Sequence, residues 1–123
     1  MVETPFLVGK KLSQNEPVFQ LALRDLRTGL RQIYDTRMPS VVLYGSYARN
    51  EAHEESDIDV LLLFSEDIRP GAEITRVSQL LADLNLHYEV LISVVPTTQN
   101  RYQSAEGPFW KNVRREGIEI HGF

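Results

Sequence analysis

The segment Ile58-Asp59-Val60-Leu61-Leu62-Leu63-Phe64 constrains the fold more than any other part of the chain, because it is almost wholly apolar. A strand with one face in water alternates apolar and polar side chains, whereas a strand covered on both faces reads as a continuous apolar run. The segment therefore predicts a strand over Asp57–Phe64 in the middle of a sheet. Helices must then cover that sheet.

The other predicted elements follow from hydrophobic spacing and from chain breaks. Apolar residues at helical spacing predict three helices, and short apolar runs predict the remaining strands. The helices span Glu16 to the break at Met38-Pro39, Ala72 to Leu84, and Pro108 to about Gly117; the strands span Val41–Tyr44, His87–Val95 with a stop at Pro96, and Ile118–Ile120. This order predicts a mixed α/β (α+β) fold, a mixed sheet flanked by helices. We expect one domain over residues 1–123, with residues 1–13 as a loosely patterned opening segment.

Composition excludes several classes of protein. The chain has no cysteine, so it holds no disulfide, thiol nucleophile or thiolate metal site. A net charge of −4 argues against a protein that coats DNA or RNA, and no direct nucleic-acid partner is expected. We found no apolar run long enough for a membrane span and no signal-peptide pattern, so a cytoplasmic location is expected.

A Gly45-Ser46 pair directly follows the predicted strand Val41–Tyr44. Glycine lets the backbone approach a ligand closely. If a helical turn begins there, the free N–H groups and the Ser46 hydroxyl face one point, which favours a phosphate group.

Two carboxylates, Asp57 and Asp59, stand at the start of the predicted central strand. Alternate side chains of a strand share a face, so these two point the same way. They would repel each other unless a cation lies beside them, and Mg²⁺ commonly binds one or two carboxylates together with substrate phosphate oxygens. Glu89, a charge within the otherwise apolar predicted strand His87–Val95, is the candidate third carboxylate for a site of two magnesium ions.

The segment Gly45-Ser46, ten further residues and Asp57-x-Asp59 resembles the signature of the DNA polymerase beta-like nucleotidyltransferases, and most closely their minimal members, the MNT proteins. The end of the chain, Phe109 to Ile118, is similar to the end of such domains.

The resemblance implies a role for each of these residues. Gly45 and Ser46 would bind the triphosphate, and Asp57 and Asp59 would bind Mg²⁺. Glu89 would take the third carboxylate position, where the superfamily usually has aspartate. Arg49 matches the family's arginine after the turn and would contact phosphate or brace the loop; it could instead pair with one of the nearby glutamates Glu51, Glu54 and Glu55.

The activity implied is transfer of a nucleotidyl group from a nucleoside triphosphate to an acceptor hydroxyl. MNT proteins are often paired with a HEPN-domain toxin, to which they transfer AMP from ATP onto a tyrosine. A protein acceptor is favoured because the chain is too small for the second domain of antibiotic-modifying relatives. Two alternatives remain: an antitoxin that neutralises its partner by contact alone, and an enzyme that modifies a small molecule such as an aminoglycoside.

Overall fold

The computed structural model describes residues 17–53 and 56–121. The predicted opening segment, residues 1–13, lies outside them. In chain order the elements are α1 (Val18–Tyr34), a 3₁₀ turn (Asp35–Arg37), β1 (Ser40–Tyr44), β2 (Ile58–Phe64), α2 (Pro70–Tyr88), β3 (Ile92–Thr98), α3 (Gln99–Ser104), α4 (Pro108–Glu116) and β4 (Ile118–Ile120). Within these ranges, no helix is both long enough and apolar enough to cross a membrane.

The four strands form one sheet in the order β3-β2-β1-β4. β1 pairs antiparallel with β2 and with β4, whereas β2 pairs parallel with β3. β2 thus has a neighbour on each side, and every residue of it except Asp59 is buried. The predictions of a central strand and of a mixed sheet flanked by helices are confirmed.

The two faces of the sheet are covered unequally. Helices α1 and α2 cover one face, and the larger apolar cluster lies there with Val60, Leu62 and Phe64 of β2. The other face carries Leu61 and Leu63, which cluster with side chains of β1, α3 and α4. Because side chains alternate along a strand, Asp59 belongs to this second, more thinly covered face.

The predicted strand His87–Val95 is wrong in both its limits. Helix α2 continues to Tyr88, which still packs against the main cluster, and Glu89 ends the helix in a left-handed conformation with φ of 54°. β3 begins only at Ile92 and runs through Pro96. A proline is tolerated there because β3 is an edge strand and needs hydrogen bonds on one side only.

The inward face of α2 includes a charged side chain. Glu73 is buried, whereas the neighbouring Ile74 is 45% exposed. The Tyr34 hydroxyl donates to the Glu73 carboxylate at 2.7 Å, and Arg37 donates at 3.4 Å. Burial raises the pKa of Glu73, but the hydrogen bonds from Tyr34 and Arg37 outweigh it and leave that pKa below its usual range. A buried carboxylate is tolerated because it is paired.

Candidate active site

The chain curls tightly where β1 ends. Gly45 has φ of +77°, a conformation that favours glycine. The Arg49 N–H donates to the Gly45 carbonyl at 3.1 Å, and the Glu51 N–H donates to the Ser46 carbonyl at 2.8 Å. The first bond spans four residues, as in an α-helix, whereas the second spans five, so residues 45–51 form one tight turn. We call residues Gly45–Asn50 the phosphate turn, after the role that the sequence predicts for them.

The phosphate turn lies directly against Asp59. Tyr44, the last residue of β1, is the register partner of Asp59 on β2. A Cβ atom built on Gly45 would lie 3.3 Å from the Asp59 Cγ and closer still to its Oδ2. The structure therefore brings Gly45 and Asp59 together.

Asp59 is in an environment that disfavours its charge. Burial raises its pKa, the charge of Asp57 raises it further, and Arg49 acts in the opposite direction. The pKa of Tyr44 is raised to about 12, by burial and by the charge of Asp59. A cation bound beside two close carboxylates would stabilise their ionised forms.

Glu89 does not occupy the place that the sequence predicts for it. It lies at the end of α2, exposed, and not on a strand beside Asp59. The strand residue that pairs with Asp59 in the parallel register is Ser93. In residues 17–53 and 56–121, no three His, Cys, Asp or Glu side chains form a group that could hold a metal ion.

Arg49 is held by two carboxylates. Its Nε donates to Glu51 Oε1 at 2.8 Å, and its Nη1 donates to both oxygens of Glu116 at 3.2 Å. The pairing with Glu51 was one of the alternatives that the sequence left open; Glu54 and Glu55 lie outside the described residues. Glu116 was missed, because no local pattern signals a contact across 67 residues.

Aromatic side chains surround the turn. The Tyr47 ring packs against Phe19 with ring centroids 4.5 Å apart, which favours a packing role. Phe109 of α4 is 43% exposed, and its ring meets Tyr44 edge-on at 5.7 Å. Tyr44 thus has Asp59 as its register partner and an exposed ring as its neighbour.

The donor set suits magnesium in part. Asp59 on β2 and Asp57, just before that strand, would supply carboxylate oxygens, which are ligands that Mg²⁺ prefers. The third position beside them carries a hydroxyl side chain, Ser93, in place of a carboxylate. A cation bound here would depend on two protein carboxylates, with phosphate oxygens or water completing its shell.

Comparison with known proteins agrees with this geometry. The sequence profile of the "Nucleotidyltransferase domain" family matches residues 23–112. A protein of Methanocaldococcus jannaschii, provisionally named a protein adenylyltransferase, is 31% identical over 101 residues, which are 81% of this chain and 95% of that protein.

Solved structures share the fold at low identity. A toxin–antitoxin structure with AMP-PNP superposes with a TM-score of 0.55 at 19% identity, over 81% of this chain and 73% of that one. The structure of a minimal nucleotidyltransferase superposes with a TM-score of 0.52 at 24% identity, over 86% and 98%. The family profile spans most of the chain, including the phosphate turn and both aspartates, so this chain belongs to the nucleotidyltransferase family and is a nucleotidyltransferase.

Proposed function

We propose that this chain is a magnesium-dependent adenylyltransferase that acts as an antitoxin, transferring AMP from ATP to a tyrosine of a HEPN-domain toxin. The observation that carries the proposal is the contact between Gly45 and Asp59, which joins a phosphate-binding turn to a pair of carboxylates. The fold shared with a toxin–antitoxin structure holding AMP-PNP supports both the nucleotide and the kind of partner.

Each part of the site has a separate task in this reaction. The phosphate turn would bind the triphosphate through the Ser46 hydroxyl and backbone N–H groups. Asp57 and Asp59 would hold Mg²⁺, which when bound neutralises phosphate charge and stabilises the attacking and leaving oxygens. The tyrosine oxygen bonds to the α-phosphorus, the bond to the β-phosphate oxygen breaks, pyrophosphate leaves, and the hydroxyl proton passes to water.

The direct test uses ATP labelled at the α-phosphate, Mg²⁺ and, as acceptor, a HEPN-domain protein encoded in the neighbouring reading frame. We expect label on a tyrosine of the partner, and none after chelation with EDTA. ATP labelled at the γ-phosphate is the matched control, since AMP transfer leaves that phosphate in pyrophosphate. Label from the γ-phosphate alone would assign a kinase reaction and reject the proposal.

The alternatives from the sequence are separated in the same experiment. A contact-only antitoxin would neutralise the toxin fully when Asp57 and Asp59 are both replaced by asparagine. A small-molecule enzyme would label an aminoglycoside and leave the protein acceptor unlabelled.

Replacing Ser93 by aspartate tests the geometry of the metal site. The new carboxylate would stand beside Asp59 in the parallel register, so we expect Mn²⁺, used as a probe for Mg²⁺, to bind about tenfold more tightly, because ligand charge sets the affinity of such sites. Without metal the variant should melt at a lower temperature, because a third like charge adds repulsion.

The control for this variant is Ser104→Asp, which adds the same charge at the exposed end of α3. Calorimetric titration with Mn²⁺ measures the affinity of both. Equal affinities in Ser93→Asp and Ser104→Asp would show that position 93 lies outside the metal site.

A further inference from the structure

Glu116, the last residue of α4, joins the two ends of the phosphate turn. Its Oε1 accepts from the Gly45 N–H at 3.3 Å and from Arg49 Nη1 at 3.2 Å, and its Oε2 accepts from the same Nη1 at 3.2 Å. The side chain is only 15% exposed. A single carboxylate thus fixes the first amide of the turn and the guanidinium at its other end.

The backbone around Gly117 sets the position of Glu116. A Cβ atom on Gly117 would lie 2.6 Å from the Val113 carbonyl oxygen and 2.8 Å from Val42 Cγ1, so the chain passes closer to β1 than any side chain would allow. β4 begins at the next residue, and its Ile118 pairs with Leu43 of β1. The pairing of β4 with β1 therefore fixes the position of Glu116 relative to β1, the strand that leads into the phosphate turn.

The first turn of α4 also contacts the end of β1. Phe109 near its start meets Tyr44, the residue directly before Gly45. Arg114 ties the helix to the segment before it, donating to the Tyr102 and Ala105 carbonyls at 2.8 Å each. Helix α4 therefore contacts two consecutive residues: Phe109 near its start contacts Tyr44, and Glu116 at its end contacts Gly45.

We propose that Glu116 is a positioning residue that holds the phosphate turn in the shape that receives the triphosphate, an inference that rests on the proposed function. Charge-assisted hydrogen bonds are stronger than neutral ones, and the bond from the Gly45 N–H to Glu116 is partly buried. Arg49 also donates to Glu51, and its bonds to Glu116 and Glu51 together fix the orientation of its side chain relative to the turn. The opposite idea, that Glu116 competes with phosphate for these donors, makes the reverse prediction for nucleotide affinity.

The first measurement needs no nucleotide. In the protein alone, hydrogen exchange of the Gly45 amide should be at least about tenfold faster in Glu116→Ala than in the wild type, because its acceptor is gone. Glu116→Gln keeps a carbonyl acceptor and should lie between the two. Glu119→Gln is the matched control, since Glu119 is half exposed on β4 and contacts His121 at 3.7 Å.

The second measurement is steady-state transfer. We expect Glu116→Ala to raise KM for ATP about tenfold with a smaller change in kcat, since a loosened turn weakens binding before it affects chemistry. Because Glu116 holds Arg49 as well as the Gly45 N–H, the double variant Glu116→Ala/Arg49→Ala should lose less than the two single losses combined. Melting temperatures of all variants separate this effect from general unfolding.

Two results would overturn the inference: unchanged Gly45 exchange in Glu116→Ala, or a lower KM for ATP in Glu116→Gln, which would identify Glu116 as a competing anion. A wild-type chain that transfers nothing would reject the proposed function instead. The exchange data would then still decide, by themselves, whether Glu116 braces the turn.

Discussion

Replacing Asp59 by asparagine is expected to lower nucleotidyl transfer about a thousandfold, because a bound cation contributes several kcal/mol to such reactions and every 1.36 kcal/mol is a factor of ten. Asparagine keeps the shape of the side chain and removes the charge that would hold Mg²⁺. The measurement is transfer of α-labelled phosphate to the partner at saturating ATP, with the Asp57→Asn variant expected to behave similarly.

The same substitution should not destabilise the protein. Asp59 is partly buried beside Asp57, and both burial and that neighbouring charge disfavour its ionised form. Removing the charge relieves this repulsion, so the melting temperature of Asp59→Asn at pH 7 is expected to match or exceed that of the wild type. Asp83→Asn, on the exposed side of α2, serves as the control for activity and stability. An inactive variant that also melts early would mean that Asp59 supports the fold and not the reaction.

Replacing Gly45 by alanine is expected to lower transfer about a hundredfold, the usual cost of misplacing a reacting group by about 1 Å. The added Cβ would overlap the Asp59 carboxylate, and alanine is strained at φ of +77° by about 1 to 2 kcal/mol. The carboxylate must move, the turn must open, or both. Transfer rates and urea unfolding midpoints measure the two parts of the effect.

Gly71→Ala is a matched control for this variant. Gly71 lies in the first turn of α2, and a Cβ atom there would meet nothing within 4 Å. Alanine at such a position is neutral or slightly stabilising, because it reduces the freedom of the unfolded chain. If Gly45→Ala were as active and as stable as Gly71→Ala, the close approach of the turn to Asp59 would have no functional meaning.

The parts of the fold that the sequence predicts well are those set by short-range patterns. The apolar run of β2 predicted its central place, because a strand buried on both faces needs apolar side chains. The Gly45-Ser46 pair predicted the turn, because a positive φ favours glycine. Gly45 and Asp59 are close because β1 and β2, the strands that carry them, pair directly in the sheet.

The errors lie where long-range packing decides. Val90, Leu91 and Ile92 continue the apolar character of α2 into β3, so the sequence shows no boundary between them; the helix ends at Glu89 without the glycine that usually marks such an end. Ser93 is therefore the register partner of Asp59, a place predicted for Glu89. Glu116 could not be predicted at all, because its contacts with Gly45 and Arg49 exist only once the sheet is assembled.

The late position of Glu116 in the chain has a consequence for synthesis. A ribosome releases residues in order, so the phosphate turn leaves the exit tunnel about 70 residues before the carboxylate that fixes it. Until α4 and β4 dock on β1, a nascent chain has the glycine and both aspartates but lacks the carboxylate that bonds to the turn. If Glu116 has the role proposed for it, we expect tight nucleotide binding only after the last strand, β4, has emerged.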